Sequence, residues 1–198
     1  MNDTIALTLK RKFKSFKRWN FLKYFIADTH FSHEKILRLA NRPFKNLHDM
    51  EETLVKNWNE KVTRNDDIYI IGDFLYGGTG AEATRILKRL HGKKYLIVGN
   101  HEKYLNDPFF NPSLFKWVKT YYSFKENKQK YVLFHYPILE WDGYFSGAIH
   151  LYGHVHGNNE KYFNSILGNK AINVGVDVNN FTPVSQIEIL ERVSNGSI

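Results

Sequence analysis

The stretch IHLYGHVH (149–156) ends in two histidines, His154 and His156, separated by one valine. Alternate residues of an extended segment face the same side, so the two imidazoles are expected to converge, with Val155 turned back to the core. Four further apolar runs end in the same kind of residue. KYFIAD ends at Asp28 with His30 two positions on, DDIYIIGD ends at Asp73, KYLIVGNH ends at Asn100 and His101, and KYVLFH ends at His135. Asp28, His30, Asp73, Asn100, His135, His154 and His156 thus offer carboxylate, amide and imidazole donors. One divalent ion takes about four to six ligands. The set is large enough for two ions that share a bridging carboxylate, whose two oxygens can each face one ion. Mixed oxygen and nitrogen donors argue against Ca²⁺ and suit borderline metals, with Mn²⁺ expected first and Fe²⁺, Zn²⁺, Co²⁺ or Ni²⁺ as the others. Two such ions roughly 3.5–4 Å apart would clamp a phosphoryl group, generate hydroxide from water and neutralise the nonbridging oxygens.

Each residue alone has a plainer reading. Asp28 could cap a helix, Asp73 could close a turn after Gly72, and Asn100 could take a left-handed position after Gly99. None of these readings explains why five apolar runs end alike. His33, His48, His91 and His150 have no such placement and are expected to be structural or idle.

The elements that must position these residues follow from the pattern. Runs of four or five apolar or β-branched residues read as strands buried on both faces. Between the first three runs lie helical stretches. Met50, Leu54, Trp58 and Val62 recur at spacing four within LHDMEETLVKNWNEKV, and EATRILKRLHG reads as a shorter helix stopped at Gly92. Strand–helix–strand alternation predicts parallel pairing, with ligands gathered at the carboxyl ends of the strands. The later runs follow one another more directly, so the second half is expected to pair antiparallel. The fold class expected is α/β, a two-sheet sandwich flanked by helices. A sixth run, AINVGVDV, ends near Asp177. The aromatic-rich connection 104–124 reads equally as a pocket wall or a core cap, and YGGTG (76–80) as a mobile site edge or a plain turn.

The chain has 198 residues, 42% hydrophobic, enough to bury a full core in one domain. No stretch approaches the length of a membrane span, and the basic N-terminus lacks the apolar segment of a secretory signal. The absence of cysteine removes disulfides, thiolate ligands and a cysteine nucleophile, and fits a reducing, cytoplasmic setting. Net charge is +8, but residues 1–24 carry seven Lys/Arg against Asp3 alone, so the rest of the chain is nearly neutral. Residues 1–20 therefore read as a basic extension to a domain spanning 21–198. KRKFKSFKRW alternates cations with aromatics, which would suit a phosphate backbone and bases. An amphipathic strand with its cations in water and Phe13, Phe16 and Trp19 packed inward is the preferred reading.

The ordered set DTH, GD, GNHE, the isolated histidine before YP, and GHVH resembles the motifs of calcineurin-like metallophosphoesterases, over residues 22 to 190. RPF (42–44), GDF and NVGVD are similar to a small single-domain bacterial and phage branch of that family. The resemblance implies a four-layer αββα fold and a dinuclear centre. It assigns Asp28, His30, Asp73 and His156 to one ion and Asp73, Asn100, His135 and His154 to the other, with Asp73 as the bridge. His101 matches the family's non-ligand histidine, which contacts the phosphoryl group and protonates the leaving oxygen. Two departures stand out. GDFLYGGTG lacks the second aspartate the family often carries, and Glu102 replaces the aspartate of the usual GNHD.

The expectation is a metal-dependent phosphoesterase acting on a phosphate ester by hydroxide attack, a phosphodiester or nucleotide being favoured. The alternatives are a nucleic-acid-binding protein or nuclease that uses the basic arm, and a non-catalytic interaction scaffold. Scaffolds of this kind lose His101 or metal ligands, and this chain keeps them all.

Overall fold

The structure, a computed structural model, describes residues 22–158 and 160–196. The basic arm, residues 1–20, lies outside the described residues, so the reading of its alternating cations and aromatics stays an expectation.

Among the described residues, nine strands form two sheets. The first is built from β1 (Lys23–Ile26), β2 (Asp67–Ile71), β3 (Lys93–Ile97), β4 (Phe115–Lys119) and β9 (Val184–Ser185), in the order β4-β3-β2-β1-β9. β1 to β4 are parallel, and β9 closes the edge antiparallel to β1. The second sheet is β5 (Tyr121–Glu126), β6 (Gln129–Phe134), β7 (Ile149–Tyr152) and β8 (Ala171–Asn173), in that order.

The β5–β6 hairpin is antiparallel, as expected for the second half, but β6–β7 and β7–β8 are parallel. The expectation of antiparallel pairing therefore fails for two of three ladders. The reason lies in the connections. Residues 135–148 return the chain from β6 to the start of β7 without an α-helix, and helix α4 (Glu160–Leu167) supplies the crossover from β7 to β8. A crossover built from an irregular loop leaves no 3.6-residue periodicity to read.

Strand alternation sorts the side chains into layers. Tyr24 and Ile26 of β1, with Ile68 and Ile70 of β2, face a core shared with α1 (Ile36–Leu39), α2 (Leu47–Lys61) and α3 (Gly80–Arg89). Their neighbours Phe25, Tyr69 and Ile71 face the other way and meet Tyr131, Leu133, Ile149 and Leu151 of the second sheet. Tyr152, Trp141 and Leu167 form a smaller cluster on the second sheet's outer face. Two mixed sheets flanked by helices result. Met50, Leu54, Trp58 and Val62, predicted as one helical face, are all buried. α3 ends at Arg89, three residues before Gly92, and begins with a Thr79–Glu82 capping box. The segment 104–124 caps both cores. Tyr104, Phe110 and Phe115 pack in the first, and Trp117, Tyr122 and Phe124 against the second. The final helix α5 (Gln186–Asn195) starts from a Ser185–Glu188 capping box. Among the described residues, no helix is long and apolar enough to cross a membrane.

Candidate metal centre

Each strand that enters the site delivers its polar residues just past its carboxyl end. Asp28 and His30 follow β1, Asp73 follows β2, Asn100 and His101 follow β3, His135 follows β6, and His154 and His156 follow β7. Because β1–β3 and β6–β8 are parallel sets, these ends bring both sheets to one crevice. Within it the side chains sort into two groups. Donor atoms of Asp28, His30 and His156 lie within 4.8 Å of one another, and so do those of Asp73, His135 and His154.

Asp73 stands between the groups. Its Oδ2 lies 3.5 Å from His30 Nε2, and its Oδ1 lies 3.5 Å from His135 Nε2. Oδ1 also accepts the backbone N–H groups of Asn100 at 3.0 Å and His101 at 3.1 Å, which fixes the carboxylate against the β3 loop. Asn100 Oδ1 sits 3.0 Å from His135 Nε2 and 3.1 Å from His154 Nδ1, on the second group's side. Asp28 is fully buried, and both its oxygens accept the backbone N–H of His154, at 3.0 and 2.9 Å. A Cβ on Gly153 would come within 2.5 Å of Ala27 Cβ and 2.7 Å of Asp28 Oδ2, and one on Gly175 within 2.7 Å of Asp28 Oδ2, so the close approach of Ala27 and Asp28 holds both positions to glycine.

The GHVH segment is not extended as expected. His154 and His156 both have left-handed backbone, at φ 72° and 52°. The twist sends the two imidazoles to different groups, while Val155 packs against the outer cluster of the second sheet. Asp28, His30 and Asp73 share the left-handed conformation, at φ 57°, 50° and 54°. L-residues take it at a penalty of roughly 1–2 kcal/mol each.

The electrostatics match a cation site. Burial pushes Asp28 up to about 6 and drives His30 down to about 2, leaving a neutral imidazole with a free lone pair. His30 Nε2 is buried without a hydrogen-bond partner among the described residues. An unpaired imidazole nitrogen between two buried carboxylates is what a divalent cation would satisfy. At His135 burial opposes charge, but the Asp73 and Asp28 carboxylates win and raise it to about 9. A proton there answers the same excess of negative charge that would attract a metal.

A sequence profile of the calcineurin-like phosphoesterases matches residues 24–187. The chain belongs to that family. An uncharacterised protein of Methanocaldococcus jannaschii is 34% identical over 177 residues, covering 88% of this chain and 93% of its own. The gene 66 protein of Mycobacterium phage D29 is 26% identical over 203 aligned positions, 87% of this chain and 98% of its own. Among solved structures, a protein of unknown function from Aquifex aeolicus superposes with a TM-score of 0.68 at 30% identity, covering 87% of this chain and 99% of that one. Family and donor groups together support a metal-dependent phosphoesterase.

Around the two groups the phosphoesterase places further residues, of which His33 had not been marked by its position in the sequence. His33, expected to be structural or idle, is buried with Nδ1 3.2 Å from His30 Nδ1. The backbone N–H of His33 donates to the His30 carbonyl at 3.2 Å, so the spacing of three residues in a turn was the available signal. Tyr76, in the glycine-rich loop, stacks on His33 at 4.0 Å and meets His101 edge-on at 4.5 Å. That loop is thus an edge of the site. Glu102, the departure from the family's aspartate, is buried and accepts the backbone N–H groups of Phe74 at 2.9 Å and Gly99 at 2.7 Å, tying the β2 and β3 loops together. Burial pushes its carboxyl up to about 7. His150 packs between Trp141 and Tyr152, and His91 Nδ1 lies 3.2 Å from the Val62 carbonyl. Asp177 and Arg42 also border the first group.

Proposed function

We propose that this phosphoesterase hydrolyses a phosphate ester at a centre of two divalent cations, with a phosphodiester, nucleotides included, as the preferred substrate. Asp28, His30, Asp73 and His156 would hold one ion and Asp73, Asn100, His135 and His154 the other, with Asp73 shared. The observation that carries the reading is Asp73 facing one imidazole of each group at 3.5 Å through different oxygens. Divalent cations bound there supply Lewis acidity, which lowers the pKa of water and neutralises charge on the phosphoryl oxygens. Mn²⁺ is the preferred ion on the donor set.

The chain's own residues do the rest. Asp73, Asn100 and the four histidines orient the reacting groups from loops that the parallel strand ends fix in place. His101, about a third exposed, presents its ring at the open side of the centre, with Nε2 3.8 Å from Asp73 Oδ2 and Tyr76 against its edge. From there its Nε2 proton passes to the departing alkoxide, which a poor leaving group requires. That role supports a diester over an activated ester as the natural substrate. The absence of cysteine supports a cytoplasmic setting.

The test is hydrolysis of bis-p-nitrophenyl phosphate beside p-nitrophenyl phosphate by metal-stripped protein, with and without added Mn²⁺. Activity is expected to return only with metal and to be greater on the diester. Faster turnover of the monoester would overturn the diester preference. No turnover of either ester, on protein shown to bind two equivalents, would overturn the proposed reaction on simple phosphate esters.

A further inference from the structure

We propose that Arg42 and Asp177 are positioning residues dedicated to one half of the centre, setting the affinity of the Asp28–His30–His156 group and leaving the Asp73–His135–His154 group untouched. The inference rests on reading the crevice as a two-cation centre.

The Arg42 side chain is fully buried, in the turn after α1. Every N–H of its guanidinium has an acceptor. Nε donates to Asp177 Oδ1 at 2.8 Å, and Nη2 donates to Asp177 Oδ2 at 3.0 Å and to the Asp28 carbonyl at 2.7 Å. Nη1 donates to the Thr29 carbonyl at 3.0 Å and to Met50 Sδ at 3.4 Å. Five donors used in a fixed planar fork make this a rigid junction that a lysine cannot reproduce. Two of the contacts brace the backbone on either side of Asp28–Thr29, where Asp28 and His30 hold left-handed conformations.

Asp177 carries the same junction to the other side of the group. Its Oδ2 lies 2.7 Å from His156 Nδ1. With the proton on Nδ1 donated to Asp177, His156 Nε2 keeps its lone pair for the Asp28–His30 side. One buried fork therefore sets the backbone bearing two donors and the ring orientation of the third. The second group shares one tie with the first, the His154 backbone N–H on the Asp28 carboxylate, and its other donors are braced separately. His135 Nδ1 lies 2.9 Å from the Ile71 carbonyl, and Asn100 and His101 are held on Asp73 by their backbone N–H groups. No contact described for Arg42 or Asp177 reaches that group.

Asp177→Asn probes the link with little change in volume. Two donors converge on Oδ2 and one on Oδ1, so an amide NH₂ in either place must face an N–H of the guanidinium. Arg42→Lys probes it from the other end, keeping the charge and losing the fork. Mn²⁺ binding to metal-stripped protein is followed by isothermal titration, with stoichiometry checked by elemental analysis. Wild type is expected to bind two equivalents. In both variants one equivalent should weaken by about 10–100-fold while the other stays within about twofold. Two equivalents at wild-type affinity in both variants, or equal weakening of both, would overturn the inference. Wild type that binds no Mn²⁺ would instead overturn the two-cation reading beneath it. A matching thermal midpoint of the metal-free proteins excludes unfolding as the cause. If Asp177→Asn alone unfolds, Arg42→Lys decides.

Discussion

Asp73 and His101 meet twice. The backbone N–H of His101 donates to Asp73 Oδ1 at 3.1 Å, while His101 Nε2 stands 3.8 Å from Asp73 Oδ2. The group proposed to bridge the two cations also sets the distance of the group proposed to protonate the leaving oxygen. Substitutions at the two positions should nonetheless separate cleanly, because one removes charge from the centre and the other removes only a ring at its edge.

Asp73→Asn keeps an oxygen that can accept the Asn100 and His101 N–H groups, so the fold should survive. Its lost charge faces both donor groups. Mn²⁺ affinity of the stripped protein is expected to fall at both sites, by at least the roughly 100-fold at the upper end of outer-partner effects. Two equivalents bound at wild-type affinity would refute the shared role of Asp73.

His101→Ala should retain both equivalents of metal and lose about 10²–10⁴ in turnover. The loss should grow as the leaving alcohol becomes more basic, and should be least for p-nitrophenyl esters. A loss independent of the leaving group would mean that His101 does not deliver the proton.

Glu102→Gln tests the tie between the β2 and β3 loops. The amide has one oxygen where the carboxylate used two, so either the Phe74 or the Gly99 N–H is left facing an NH₂ group. A buried unsatisfied donor costs about 1–3 kcal/mol. At roughly 2–4 °C of thermal midpoint per kcal/mol for a chain of this size, the metal-free variant should melt several degrees lower. An unchanged midpoint would show that the tie contributes nothing to stability.

Lys94 carries a pH dependence remote from the metal groups. It is buried in β3, with Nζ donating to the Gly92 carbonyl at 3.1 Å. Burial, aided by the Arg64 charge, lowers it to about 8, against about 10.4 in an unfolded chain. Between those values the unfolded chain binds the proton and the folded one does not, so this group makes stability rise with pH across the window. Below about pH 8 the full penalty applies. Lys94→Met is therefore expected to be more stable than wild type at pH 7 by about 1–3 kcal/mol, with the gap narrowing toward pH 10. Urea midpoints at the two pH values measure it, and a constant gap would refute the burial argument.

Asp28, Asp73, Asn100 and His135 stood out in the sequence because parallel strands end where ligands gather, and an apolar run that stops at a donor marks such an end. His33 escaped for the complementary reason, and so did the roles of Arg42 and Asp177, although RPF and the sixth apolar run contain those two residues. Arg42 sits in an irregular turn after a four-residue helix, His33 in a turn off β1, and Asp177 past the short β8. No periodicity points at such positions. Their roles appear only once distant segments meet, as when Asp177 joins Arg42 across 135 residues. The parallel course of β6 and β7 was hidden similarly, because the loop 135–148 does a helix's work without a helix's pattern. The extended reading of GHVH failed because a period-two rule presumes a strand, and β7 ends at Tyr152.

The left-handed backbone at Asp28, His30, Asp73, His154 and His156 sets a trade-off between activity and stability. At each position the backbone favours glycine or asparagine, and the donor chemistry demands something else. Replacing one of these residues with glycine should relax the local backbone while deleting a donor. A descendant released from selection for cation binding would gain stability by drifting first at His30, His154 and His156, because Asp28 and Asp73 also accept backbone N–H groups that hold the loops.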